Sequence, residues 1–260
     1  MIRTIPQDEA AEAILLVGRR MYERGFVASN DGNISVRLSS DRILVTPTGM
    51  SKGFMTRGDL VVVDAGGKKV SGRRSVTTEI GMHLKAYELR EDIAAVVHAH
   101  PPYATGFAVA GIPLAECILP EVVVTIGSVP IARYATPSTE EVAASIAQVV
   151  TRSDAFLLKN HGVIAVGGDA LGAYHKLETV EHFAKIAFVA RHLGKLSPLA
   201  HEEVVKLLAV REKLGIRGPT PGCRECGACT PGDDTDRAEL VKTIVEEVIG
   251  VLRKGKNALE

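Results

Sequence analysis

Apolar positions recur along this chain with two different periods. Over residues 8–25, Ile14, Leu15, Gly18 and Met21-Tyr22 fall at helical spacing and Gly25 closes the run, which predicts an opening helix. Residues 34–38 and 43–45 read as two strands of a hairpin with Ser39-Ser40-Asp41 as the turn, and 60–64 as a third strand ended by Gly66-Gly67. Thr77 or Thr78 caps a helix to about Arg90 with Ile80, Leu84 and Tyr87 on one face. A buried strand follows over the apolar run 93–97. Residues 103–111 read as helix and 122–126 as an extended segment. Residues 138–152 form a helix opened by Ser138, Thr139 and two glutamates, a first turn suited to the helix dipole. Two strands, 156–158 and 163–166, flank Asn160-His161-Gly162, and a long helix covers 169–194. Strands outnumber crossover helices and include hairpins, so the pattern predicts an α/β fold with a mixed, largely antiparallel sheet covered by helices.

The pattern changes near residue 215. Residues 215–234 are rich in Gly, Pro and Cys and read as a linker. Beyond them Leu240, Val241, Ile244, Val248 and Leu252 make an amphipathic helix that must pack on its own subunit or a neighbour. The expected division is therefore 1–214 as the main domain and 215–260 as a cysteine-containing linker and terminal helix.

Composition narrows the function. With 260 residues and 46% hydrophobics the chain can build one sizeable core. Lys+Arg and Asp+Glu are both 31, which argues against a nucleic-acid binder. The N-terminus lacks the profile of a signal peptide, and no apolar run reaches the roughly 18–20 residues of a membrane helix, so a cytoplasmic protein is expected. Cys117 stands alone. Cys223, Cys226 and Cys229 are spaced closely enough to bind metal or exchange disulfides, or are part of a plain linker.

The stretch VVHAHPP carries the chemistry. Residues two apart on a strand share a face, so His98 and His100 project together from a strand end and can grip one divalent metal. His161 adds a third imidazole, and three protein ligands with an open fourth position are the pattern of catalytic zinc. Glu79, in the first turn of its helix, is the fourth element. His83, four residues later on the same face, competes with it as a ligand or simply packs inward. Asn30-Asp31-Gly32-Asn33, Thr46-Pro47-Thr48-Gly49-Met50 and the helix start at Thr77-Thr78 offer backbone donors suited to phosphate.

Taken in order, S-N-D-G-N-I-S, T-P-T-G, T-T-E, H-A-H-P and N-H-G resemble the class II aldolase/adducin family over about residues 8–200. Its members include fuculose- and rhamnulose-phosphate aldolases and ribulose-phosphate epimerase. The resemblance implies a three-layer α/β/α core of nine-stranded type and a cyclic homotetramer with active sites between subunits. It also implies bound zinc, with Mn2+ or Co2+ as alternatives. It assigns metal ligation to His98, His100, His161 and Glu79, and to Glu79 also the proton-transferring role. It assigns phosphate binding to Gly32, Asn33, Thr48, Gly49, Thr77 and Thr78. The reaction implied is zinc-dependent cleavage of a small ketose 1-phosphate, fuculose 1-phosphate-like, to dihydroxyacetone phosphate and an aldehyde through a metal-stabilised enediolate. Glutamate at position 79 favours the aldolases, since the epimerases typically carry aspartate there. A pentulose-5-phosphate 4-epimerase, a methylthioribulose-phosphate dehydratase and a decarboxylase are the alternatives on the same scaffold. A non-enzymatic adducin-like module is disfavoured by the intact metal set. One departure stands out: fuculose-phosphate aldolases place a tyrosine proton donor after the H-x-H strand, and residues 116–128 here contain none.

Overall fold

The computed structural model describes residues 5–136 and 139–219; the Cys223, Cys226 and Cys229 cluster, the helix expected around 240–252 and the Ser138 cap lie outside them. The helical stripe at the N-terminus becomes α1 (Gln7–Glu23), which buries Ile14, Leu15, Val17, Gly18 and Met21. The predicted hairpin is β1 (Asn33–Arg37) and β2 (Arg42–Val45), paired antiparallel. The chain continues through β3 (Val61–Asp64), β4 (Lys69–Ser71), α2 (Ile80–Leu89), β5 (Ala95–Ala99) and α3 (Pro102–Ala110). After α4 (Pro120–Thr125) and β6 (Ile131–Ala132) come α5 (Glu140–Val150), β7 (Ala155–Leu158) and β8 (Gly162–Gly167). Two helices close the described chain, α6 (Ala170–Leu193) and α7 (His201–Lys213). Asp169 caps α6, its Oδ1 accepting from the Gly172 N–H at 2.7 Å.

The strands form one eight-stranded sheet in the order β4-β3-β2-β1-β5-β8-β7-β6. Every neighbouring pair is antiparallel except β6–β7, so the sheet is mixed and largely antiparallel as expected. Eight strands among the described residues is one fewer than the nine-stranded type. The pairing of Leu114 with Val129 stops at an isolated bridge.

Period-2 alternation divides each central strand between two cores. Ile34, Val36, Ala95, Val97, Ala99, Val163 and Ala165 join α1, α3 and α6 in one cluster. Val96, Ile164 and Val166 join α2 and α5 in the other. This gives the α/β/α layering.

One element differs in kind from its prediction. Of residues 122–126, 122–125 are helical in α4 and Ile126 is its C-cap, rather than extended, despite their β-branched run. Pro120 sits at the start of the helix, where its missing N–H costs nothing. At the other end the buried Arg211 guanidinium of α7 donates to the carbonyls of Val124 and Thr125 at 2.7 and 2.9 Å. Tertiary capping thus overrides local propensity. Strands β4 and β6 are too short to leave a period, and α7 buries only Val204 and Arg211, leaving no apolar stripe to read. Cys117 is buried with Val123 and Val204 where α4 meets α7.

Candidate metal and active site

Register decides what meets at the end of β5. Asn33 of β1 lies opposite His98 and Ser35 opposite Val96, so these alternate positions all face α2. His100 follows the strand, and its N–H donates to the Phe26 carbonyl at 3.0 Å. His161 sits in the short link between β7 and β8. There Asn160 takes a left-handed φ of 57°, which asparagine tolerates better than most residues, and the His161 N–H donates to the Leu158 carbonyl at 3.0 Å.

Two glycines make room for the rings. A Cβ at Gly162 would lie 2.5 Å from the Ala99 carbonyl oxygen and 2.6 Å from His100 Cδ2. The glycine is therefore needed for close approach; Gly162 is not among the positive-φ residues, so it serves no left-handed turn. Gly32 needs both freedoms, with φ at 71° and a would-be Cβ 2.7 Å from the His98 carbonyl oxygen.

The structure brings His98, His100 and His161 together. Their ring centroids are 4.7–5.0 Å apart, and one ligand nitrogen from each lies within 4.8 Å of the others. His98 Nδ1 donates to the Val163 carbonyl at 2.9 Å, which leaves the Nε2 lone pair facing inward. His100 Nδ1 faces Asp31 Oδ2 at 3.3 Å, and its Nε2 lies 3.1 Å from His98 Nε2. Burial pushes the His98 imidazole down to about 3 and also lowers His100, so both are neutral at neutral pH. Neutral imidazoles oriented from behind and converging on one point are the donor chemistry of a divalent cation site, and the residues fit such an ion.

Glu79 completes the group, with one correction to its setting. It is the N-cap residue of α2, whose helix begins at Ile80, rather than part of a first turn opened by Thr77-Thr78. Its side chain makes no capping bond to its own helix, which frees the carboxylate to face the imidazoles. Oε1 lies 3.2 Å from His161 Nε2 and Oε2 3.6 Å from His98 Nε2. Oε2 also accepts from Asn33 Nδ2 at 2.6 Å. Burial opposes the charge, but the hydrogen bonds offered by His161 Nε2 and the Asn33 amide outweigh it, holding this carboxyl below the usual carboxylate range.

His83 stays out of the cluster. Its Nε2 lies 2.5 Å from Asn33 Oδ1 and its Nδ1 2.7 Å from Ser35 Oγ, so both ring nitrogens are committed. Burial lowers this imidazole to about 4.

The loops expected to bind phosphate lie beside this group. Thr46 Oγ1 accepts from the Ile34 N–H at 3.1 Å, anchoring the T-P-T-G turn to β1. Thr48 and Gly49 are exposed, and Gly49 has a left-handed φ of 67°. Thr48 spends its own N–H on the Ser75 carbonyl, at 3.1 Å. Thr77 is buried with Oγ1 accepting from the Glu79 N–H at 3.4 Å, whereas Thr78 is exposed. Lys52, itself buried, joins the two loops: its Nζ donates to the Asn30 carbonyl at 3.0 Å and the Met50 carbonyl at 2.6 Å. Burial lowers its ammonium to about 8, against the pull of Asp31 and Glu79. Sequence reading passed over Asp31 as an orienting group and Lys52 as a staple. Asp31 has only its place beside Gly32 as a signal, and an isolated lysine leaves none.

Known proteins resemble this chain in sequence and fold. The profile of the Class II Aldolase and Adducin N-terminal domain matches residues 12–188. An L-fuculose phosphate aldolase from Methanococcus maripaludis is 33% identical over 67% of this chain and 94% of its own. A 3-oxo-tetronate 4-phosphate decarboxylase from Haemophilus influenzae is 34% identical over 68% of this chain and 86% of its own. A solved L-fuculose 1-phosphate aldolase superimposes with a TM-score of 0.74 at 32% identity, covering 82% of this chain and 98% of that one. In fold, in ordered motifs and in relatives that are aldolases or decarboxylases, the chain belongs to the class II aldolase/adducin family and is a lyase.

Proposed function

We propose that this protein is a zinc-dependent aldolase that cleaves a small ketose 1-phosphate, fuculose 1-phosphate-like, to dihydroxyacetone phosphate and an aldehyde. The observation that carries the proposal is the Glu79 carboxylate, held by Asn33 at 2.6 Å and set 3.2 Å from His161 in the three-imidazole cluster. His98, His100 and His161, with Glu79 as a further ligand, would hold a divalent cation, which would supply Lewis acidity toward a substrate carbonyl oxygen. Breaking the C3–C4 bond makes C4 an aldehyde as its hydroxyl proton is lost and leaves an electron pair at C3 that takes up a proton. Glu79 is the carboxylate placed to accept a proton and return it to C3. Gly32, Asn33, Thr48, Gly49, Thr77 and Thr78 bind the phosphate and so fix where C3 lies relative to Glu79. Lys52 adds positive charge at the same loops. The family resemblance supports a cytoplasmic homotetramer.

A second reading has its own support. The decarboxylase relative at 34% identity, together with the absence of tyrosine from residues 116–128, favours loss of carbon dioxide from a phosphorylated 3-oxo acid. Both reactions leave an electron pair on the carbon beside a carbonyl, and they differ in the leaving fragment. The test is to load the purified protein with zinc, assay dihydroxyacetone phosphate from a panel of ketose 1-phosphates, and assay carbon dioxide from a 3-oxo acid phosphate. Dihydroxyacetone phosphate release supports the aldolase. Stoichiometric zinc with no cleavage of any ketose phosphate overturns it, and carbon dioxide release alone establishes the second reading.

A further inference from the structure

The hydrogen-bond chain behind Glu79 has one consistent direction. An ionised carboxylate only accepts, so Asn33 must turn Nδ2 toward Glu79 Oε2, at 2.6 Å, and Oδ1 the other way. That oxygen also only accepts, so His83 meets it with a protonated Nε2 at 2.5 Å. A neutral ring then carries its lone pair on Nδ1, and the Ser35 hydroxyl donates to it at 2.7 Å. The Ser35 oxygen is left to accept from the Tyr87 hydroxyl at 2.8 Å. Asn33, Ser35, His83 and Tyr87 are all buried, so no solvent competes for these partners. Asn33 and Ser35 are alternate residues of β1, and His83 and Tyr87 are one turn apart on α2, so sheet–helix packing alone builds the chain.

We propose that His83, backed by Ser35 and Tyr87, is a positioning residue for Glu79. It accomplishes this by fixing the orientation of the Asn33 amide. An amide without this partner can turn over and present its oxygen to the carboxylate, which repels Glu79 and strands a buried donor. With His83 as the Nε2–H tautomer the turned-over amide faces N–H to N–H at one end and oxygen to carboxylate at the other. The opposite tautomer, its chain ending with the Tyr87 hydroxyl donating to the Ala94 carbonyl at 3.5 Å, leaves the oxygen-to-carboxylate clash in place. The His83 tautomer therefore reports the amide orientation. The proposal rests on reading Glu79 as the group that moves the substrate proton. A histidine that merely fills space between sheet and helix would need no such order of donors.

Three variants and one spectrum test it. His83→Gln places an amide N–H where Nε2–H stood, His83→Leu fills comparable volume with no donor, and Tyr87→Phe trims the far end. His83→Leu is expected to lower kcat about 10–100-fold with KM nearly unchanged, as loss of an orienting group behind a ligand does. His83→Gln recovers kcat to within roughly threefold of the parent, and Tyr87→Phe costs roughly two- to fivefold. Equal kcat per folded molecule for the Leu and Gln variants, or equal loss in both, overturns the proposal. In parallel, nitrogen-15 histidine NMR of the zinc-loaded protein, with His83 assigned by its loss in His83→Gln, is expected to show a protonated Nε2 and a bare Nδ1. A protonated Nδ1 overturns the direction of the chain even if the Leu and Phe variants misfold. The spectrum is independent of substrate, so failure to cleave any ketose phosphate would sink the proposed reaction and leave the positioning role decided by the tautomer.

Discussion

The two faces of the central sheet are equally buried but made of different chemistry. Toward α1, α3 and α6, strands β1 and β5 present Ile34, Val36, Ala95, Val97 and Ala99. Toward α2 the same strands present Asn33, Ser35 and His98, met there by Glu79, His83 and Tyr87. The first face is held by contact area, which has no direction and accepts any well-packed apolar shape. The second shares that apolar packing, with Val96, Ile164 and Val166 against α2 and α5, but adds donors matched to acceptors, where removing one member leaves its partner buried and unsatisfied. Alternation lets one strand carry stability on one side and chemistry on the other.

The largest effect is expected from the polar face. Replacing His98 with Ala removes a fully buried ring, so metal content after dialysis should fall from about one ion per chain to near zero. Elemental analysis alongside the activity assay checks this, and a variant with full metal and full activity would remove His98 from the site. Glu79→Gln keeps shape and the Asn33 contact but loses the base, so activity should drop roughly 10²–10⁴-fold with metal-loaded stability little changed. Steady-state kinetics and thermal unfolding measured together separate those outcomes. On the apolar face, Ile14→Ala should cost about 2–5 kcal/mol in urea unfolding and leave kcat per folded molecule unaltered. A fall in kcat there would show that the two faces are coupled.

The smallest effect per group is in acid. His83 is lowered to about 4 and His98 to about 3, against 6.5 for a free imidazole. Between those values the unfolded chain binds more protons than the native one. Stability of the metal-free protein is therefore full above the unfolded value and is lost as pH falls through the window below it. The loss at about pH 5 should be on the order of 2 kcal/mol per imidazole, read from denaturant midpoints in chelator at pH 7.5 and 5. A flat profile would contradict neutral burial of these rings.

Much of this was legible because it is periodic. The long stripes of α1 and α6, the β1–β2 hairpin and the H-x-H strand each leave a repeat of 3.6 or 2 in the chain. The metal-ligating histidines were legible too, because residue type and strand parity together specify a shared direction. Helix α4 was not, since its Val-rich run favours a strand and only Arg211, reaching across from α7, supplies the acceptor satisfaction that ends the helix. The role of Gly162 was not legible either, since what it provides is space for the Ala99 carbonyl and the His98 and His100 rings, which approach from a distant part of the chain.

Glu79 and His83 show where the sequence stops. Spacing alone establishes that β5 ends in two imidazoles on one face, that a third sits beside a glycine, and that two titratable groups four residues apart start the helix before them. It fixes each side chain relative to its own element, because backbone period is local. Only the packing of α2 across β1 and β5 decides that Glu79 meets the imidazoles while His83 meets Asn33 and Ser35. The same packing decides that Asp31 backs His100 and that Lys52 ties two loops. A donor's role depends on the acceptor opposite it, and that partner is set by contacts distant in the chain.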